Sequence, residues 1–171
     1  MLVHHGADDR NGGRFTMALL SAARQEREMW CQQILKQGAD VNAQDELGYT
    51  ALEVACKRGG EGLVQLLLRA GADAKSVCKA PHHGPLCEAS REGNTVIVKA
   101  LLDHGADASA RCYHYGPALK ATRFDSNSQM YVNHIIPGSE AMAQLLLEAG
   151  AVDDAVTEEE MANASLLGGM G

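Results

Sequence analysis

The sequence predicts an all-α solenoid of about four stacked helix–turn–helix repeats, and three observations carry that prediction. First, the phrase Gly-Ala-Asp returns at Gly6-Ala7-Asp8, Gly38-Ala39-Asp40, Gly71-Ala72-Asp73 and Gly105-Ala106-Asp107, and its first two residues again at Gly150-Ala151. Second, those glycines lie 32, 33, 34 and 45 residues apart, and each phrase is read as following a run of apolar residues at helical spacing. A unit of that size cannot bury its own apolar face, whereas stacked neighbours can. Third, the 171 residues include one Trp, two Phe and four Tyr. Small helices packed through Ala and Leu fit that composition better than a large sandwich or barrel.

The elements follow in chain order. Residues 1–8 read as the last turn of a second helix with its Gly-Ala-Asp ending. No first helix precedes them, which predicts a chain that begins inside a longer repeat array; the other reading has the first full unit serve as its own cap. Residues 1–14 are therefore assigned to a partial repeat end and linker, and residues 15–152 to the repeat domain. In unit one, Ala18-Leu19-Leu20-Ser21-Ala22-Ala23 forms the first helix, Glu26-Arg27-Glu28 a polar turn without glycine, and Trp30, Cys31, Ile34 and Leu35 the apolar stripe of the second helix.

Unit two is the clearest. Gly48 to Cys56 opens its first helix and Lys57-Arg58-Gly59-Gly60 breaks it. Leu63, Val64, Leu66, Leu67 and Leu68 then recur at three- and four-residue spacing, one buried face of a second helix. Gly71 ends that helix as a left-handed cap. In unit three, Gly84 to Ser90 is the first helix, with Pro85 suited to its first turn. Gly93-Asn94 is the break, and Ile97, Val98, Leu101 and Leu102 line the second helix. Unit four has Pro117 to Ala121, then Met142, Leu145, Leu146 and Leu147. The longer spacing here locates an insertion near residues 125–137. Its Met130, Tyr131, Val132, Ile135 and Ile136 are read as folding back on adjacent helices, with an accessory partner contact as the alternative. Residues 153–171 form an acidic tail. Thr157-Glu158-Glu159-Glu160 has the pattern of a capping box, and a short capping helix and a frayed end both fit.

At this point the chain resembles the ankyrin repeat family. Thr50-Ala51-Leu52-Glu53-Val54-Ala55 and Gly84-Pro85-Leu86-Cys87-Glu88-Ala89 each match part of the family's Thr-Pro-Leu-His-x-Ala phrase. Leu67 to Asp73 and Leu101 to Asp107 match its Leu-Leu-x-x-Gly-Ala-Asp ending. No unit keeps the full opening phrase, and His is absent from its place throughout. The resemblance covers roughly residues 15 to 152 and implies an ankyrin-type solenoid.

Composition excludes several functions. A formal charge of −7 argues against nonspecific nucleic-acid binding. No apolar run approaches the roughly 18 residues of a membrane span, and Met1 to His5 lacks the pattern of a signal peptide. Five cysteines without a disulfide-like framework read as reduced thiols of an intracellular protein, cytoplasmic or nuclear. There is no phosphate loop, no Gly-x-Ser-x-Gly and no His-Glu-x-x-His, so no enzyme and no cofactor is expected. Cys31 and Cys56 fall on inner faces as small core residues. Cys78, His82, His83, Cys87, Cys112 and His114 cluster in two successive loop regions, but their spacing matches no standard zinc module, and no metal is expected.

The resemblance implies a ligand gripped by loop tips and by the exposed side of each first helix, which together make a concave surface. Carried onto this chain, the strip takes Glu46, Leu47, Tyr49, Lys57 and Arg58 from unit two. Unit three supplies Ala80, Pro81, His83, Arg91 and Glu92, and unit four Tyr113, Tyr115, Arg123 and Phe124. Tyr, Phe and Arg are the types enriched at interface hot spots. The expected function is a non-catalytic module that binds a protein partner, as a monomer or within a longer array. The alternatives are a structural segment of such an array and a metal- or redox-responsive element built on the Cys/His loops.

Overall fold

The Gly-Ala-Asp phrases at Gly38, Gly71 and Gly105 each end a helix in the same way, and that ending sets the repeat. The computed structural model describes residues 9–75, 84–112, 116–121, 124–125, 130–131 and 140–151. At Gly71 the backbone turns left-handed, φ +90°, a conformation that a Cβ would strain. The next amide, of Ala72, then reaches back to the Leu67 carbonyl at 3.0 Å, the six-to-one bond of a Schellman ending. The same bond recurs from Ala39 to Ile34, Ala106 to Leu101 and Ala151 to Leu146. The aspartate that follows folds the exit. Asp40, Asp73 and Asp107 each accept the amide two residues on at 2.9 Å, from Asn42, Lys75 and Ser109 respectively.

The helices come in pairs. They are α1 (Asp9–Arg24) and α2 (Glu28–Lys36), α3 (Ala51–Arg58) and α4 (Glu61–Arg69), and α5 (Pro85–Arg91) and α6 (Thr95–Asp103). The fourth pair is α7 (Ala118–Ala121) and α8 (Glu140–Glu148). First helices pack in one row, α1 on α3, α3 on α5 and α5 on α7; second helices pack in another, α2 on α4, α4 on α6 and α6 on α8. The result is an all-α solenoid. Two short antiparallel pairs accompany unit four: β1 (Arg111–Cys112) with β2 (Gly116–Pro117), and β3 (Phe124–Asp125) with β4 (Met130–Tyr131). The β3–β4 pair lies in the region assigned to the insertion. α1 begins at Asp9, inside the stretch read as a repeat end and linker. The acidic tail lies outside the described residues.

Local chemistry fixes the starts and breaks. Thr50 and Glu53 form a full capping box on α3: the Thr50 hydroxyl accepts the Glu53 amide, and the Glu53 carboxylate accepts the Thr50 amide at 2.8 Å. Asn94 caps α6 through the Ile97 amide, and Pro85 stands in the first turn of α5. Between first and second helices the chain reverses on a left-handed residue, Gly59 (φ +75°) and Gly93 (φ +74°). Unit one has no glycine there, so Glu26 itself adopts φ +54°. The polar turn expected at Glu26 thus copies the glycine turns, with the Arg27 amide returning to Ala22 as Gly60 does to Ala55.

The core runs the length of the stack between the two rows. Leu19, Leu20, Leu52, Leu63, Leu67, Ile97, Leu101, Leu119, Met142 and Leu146 are all fully buried. Two expected stripe residues are not part of it. Trp30 is 60% exposed and Leu147 45%. Each sits one position beside the inward-facing residue, Cys31 and Leu146, and one residue is about 100° of helix rotation.

Neighbouring repeat ends are also joined by side chains. The Asn42 amide group donates to the Gly71 carbonyl, and its oxygen accepts the Asp73 amide at 2.8 Å. Ser109, at the matching place two units later, donates a single bond to the Gly150 carbonyl. Lys75, the matching residue between them, lies with its Cε against Gly105.

Candidate functional site

The exposed side of the first helices carries a groove built around one loop. Asp45 anchors that loop. One carboxylate oxygen accepts the amides of Leu47 and Tyr49, both at 2.9 Å. The other accepts a 2.6 Å charged bond from Arg24 at the end of α1. Burial pushes the Asp45 carboxyl up, but the Tyr49 amide, Arg24 and the Leu47 amide outweigh it and hold it below its ordinary value. The loop is thereby fixed against the preceding repeat, and Tyr49 is set at the foot of α3.

Lys57, in the last turn of α3, places its ammonium 5.8 Å from the centroid of the Tyr49 ring, within cation–π range. Arg24, Tyr49, Val54, Lys57, Arg58 and Glu92 together line a cavity of about 320 Å³. Glu92 is not loose in it: Arg91 holds Glu92 at 2.7 Å and the buried Glu88 at 3.0 Å. Among the described residues, no carboxylate pairs with Lys57 or Arg58.

Four of the strip residues expected from the sequence therefore meet in one cavity: Tyr49, Lys57, Arg58 and Glu92. Glu46 and Leu47 stand exposed at the loop tip, outside the cavity lining. Arg91 is half-buried and serves the two glutamates. Ala80, Pro81, His83, Tyr113, Tyr115 and Arg123 lie outside the described residues, and Phe124 is described as the first residue of β3. Sequence reasoning missed Arg24, although the signal was present. Arg24, Lys57 and Arg91 are spaced 33 and 34 residues apart, the repeat period itself.

A wider trough of about 710 Å³ lies on the opposite side, between α2 and α4, lined by Glu28, Leu35, Gly62, Leu66 and Arg69 among others. Exposed Met29 and Trp30 also project from α2. These residues belong to the row of second helices and take no part in the groove.

The thiols are not poised for chemistry. Burial pushes Cys31 up to about 11, with Glu28 adding to it against a lowering backbone bond, and burial beside Glu53 and Glu88 pushes Cys56 up further still. Both are free and buried. Cys87 departs from the reading of five reduced thiols, because it is disulfide-bonded. Among the described residues, no group of three His, Cys, Asp or Glu converges as a metal ion would require. Cys78, His82, His83, His114 and the side chain of Cys112 lie outside them. No described helix is long and apolar enough to cross a membrane.

A family model described as ankyrin repeats, in three copies, matches residues 1–78 and 19–112. Human BCL-6 corepressor-like protein 1 is 32% identical over 108 residues, which cover 63% of this chain and 6% of that protein. Human ankyrin repeat and SOCS box protein 6 is 33% identical over 128 residues, 74% of this chain and 29% of that protein. Human mitochondrial disaggregase is 50% identical over 56 residues, 33% of this chain and 8% of that protein. The chain thus spans less than a third of the length of each of these relatives.

Proposed function

This chain belongs to the ankyrin repeat family, and on that premise we propose that it is a non-catalytic module that docks a protein partner on its concave face. Repeats of this family are generally protein-interaction modules, and fold alone does not name the surface used. The observation that carries the assignment is the meeting of Arg24, Tyr49, Lys57, Arg58 and Glu92, drawn from three successive repeats, in one open cavity. Such a surface is preformed: α3 is capped at its start, and the loop is tied down through Asp45. A partner therefore meets groups that lose little freedom on binding. Tyr and Arg are the side chains that most often dominate such contacts.

The proposed strip continues through Glu46, Leu47, His83, Tyr113, Tyr115, Arg123 and Phe124, with Arg91 acting through the Glu92 it holds. The disaggregase relative brings no enzymatic reading with it, because the shared segment covers 8% of that protein. The test is affinity capture with the intact chain beside a Tyr49→Ala/Lys57→Ala/Arg58→Ala variant, both checked for helical content. Proteins recovered with the native chain are expected to be missing from the variant. An unchanged set, from a variant that is still folded, would move the binding surface elsewhere.

A further inference from the structure

Among the described residues, the charges around the groove do not balance. The lining holds three cations, Arg24, Lys57 and Arg58, and one anion, Glu92. Arg24 is met by Asp45, and Glu92 is met by Arg91. Lys57 and Arg58 remain, exposed and without a carboxylate among the described residues. This positive pocket sits on a chain of formal charge −7. The weak cation–π contact with Tyr49 favours a Lys57 ammonium beside the cavity before any ligand arrives. The half-buried Tyr49 and the apolar Val54 share the lining with these cations.

We infer that the groove takes an acidic peptide segment, whose carboxylates meet Lys57 and Arg58 while an apolar neighbour rests on Tyr49 and Val54. This rests on the concave-face reading above and adds the chemistry of the partner. A polynucleotide fits less well. Two unmatched cations neutralise only two phosphates and release few counterions, and the net negative chain repels an extended polyanion. The cavity, about 320 Å³, suits a few side chains of a peptide.

The experiment is a selection from a random peptide library displayed on phage, run on the full chain and on a Lys57→Glu/Arg58→Glu variant. Circular dichroism of the variant should match the native chain, since both side chains are exposed. Native protein is expected to enrich peptides rich in Asp and Glu beside an apolar residue. Replacing those acids by Asn and Gln, or using the charge-reversed variant, should weaken binding at least about tenfold, and binding should fall as salt rises. Enrichment of neutral or basic peptides that still lose affinity with Tyr49→Ala would overturn the acidic occupant and leave the concave-face reading standing. Peptides indifferent to Tyr49→Ala and to the charge reversal alike would overturn both. Acidic peptides that bind only after residues 153–171 are removed would make the chain's own acidic end the occupant, in place of a partner. Preferential binding of an RNA or DNA oligonucleotide, lost on charge reversal, would also refute the inference.

Discussion

Replacing Asp45 tests how the groove is held. The Asp45 side chain is 6% exposed and accepts three hydrogen bonds, from the Leu47 amide, the Tyr49 amide and Arg24. These contributions are unequal. The Leu47 amide is at an exposed loop tip, where water replaces the carboxylate at little cost. Arg24 is 43% exposed, so its ion pair contributes no more than about 1 kcal/mol. The half-buried Tyr49 amide would be left without its acceptor, a loss of about 1–2 kcal/mol. Asp45→Ala is therefore expected to destabilise by about 2 kcal/mol in urea unfolding. Asp45→Asn retains an amide oxygen for the two N–H groups and should cost about half as much. A double-mutant cycle with Arg24→Gln should return a coupling of about 0.2–1 kcal/mol. The sign of the pH dependence follows from the lowered carboxyl. Stabilisation by the ionised form is fully present above the unfolded value of about 3.9 and is lost as pH falls through the folded value below it. The stability gap between the native chain and Asp45→Asn should narrow from pH 5 towards pH 2. A gap that widens in acid, or an Asp45→Ala protein as stable as the native one, would refute the assignment of Asp45 as the loop's anchor.

Four other outcomes follow from the packing. Leu67→Ala and Leu101→Ala should each cost about 2–5 kcal/mol, while exposed Gln65→Ala and Lys99→Ala should change stability by less than about 0.5 kcal/mol; chemical denaturation separates the two sets. Glu26→Gly should raise stability by about 0.5–1 kcal/mol because it removes a side chain from a left-handed position, and a lower melting temperature would contradict this. Gly71→Ala should do the reverse by about 1 kcal/mol, although nothing lies within 4 Å of the added methyl, since the strain is in the backbone. Ser90→Ala should be neutral or stabilising, because the Ser90 hydroxyl is buried without a hydrogen-bond partner among the described residues; a loss above about 1 kcal/mol by thermal melting would show that the hydroxyl is satisfied.

The repeat was legible because period, break and ending are written in local chemistry. Gly71, Gly105 and Gly150 are required by the backbone, and the aspartates after Gly38, Gly71 and Gly105 by the turn that follows. Helical phase was less legible at the edges of each stripe. Trp30 has the composition of a core residue, yet its angle around α2 is set by Cys31 facing inward. Of the groove, Tyr49, Lys57, Arg58 and Glu92 could be named from their place in the unit. Asp45 could not, because its role depends on a partner 21 residues away that no local pattern announces. Nor could the loss of Arg91 to Glu88 and Glu92, which is a competition among neighbours settled only by geometry.

The side chains that bridge successive repeat ends differ from one junction to the next. Among the described residues, Asn42 makes a two-bond clasp, Ser109 a single tether, and Lys75 only a contact. Viewed as a mechanical element, the solenoid is a row of plates joined by fasteners of unequal stiffness. At the Lys75 junction the described fastening lies instead at the opposite end of the second helices, where the Asn94 amide group donates to the Glu61 carboxylate. Units one and two are therefore clasped at their repeat ends, and units two and three at their helix turns. The point of attachment thus changes ends along the stack, so a hinge motion at successive junctions would pivot about opposite ends of the helices.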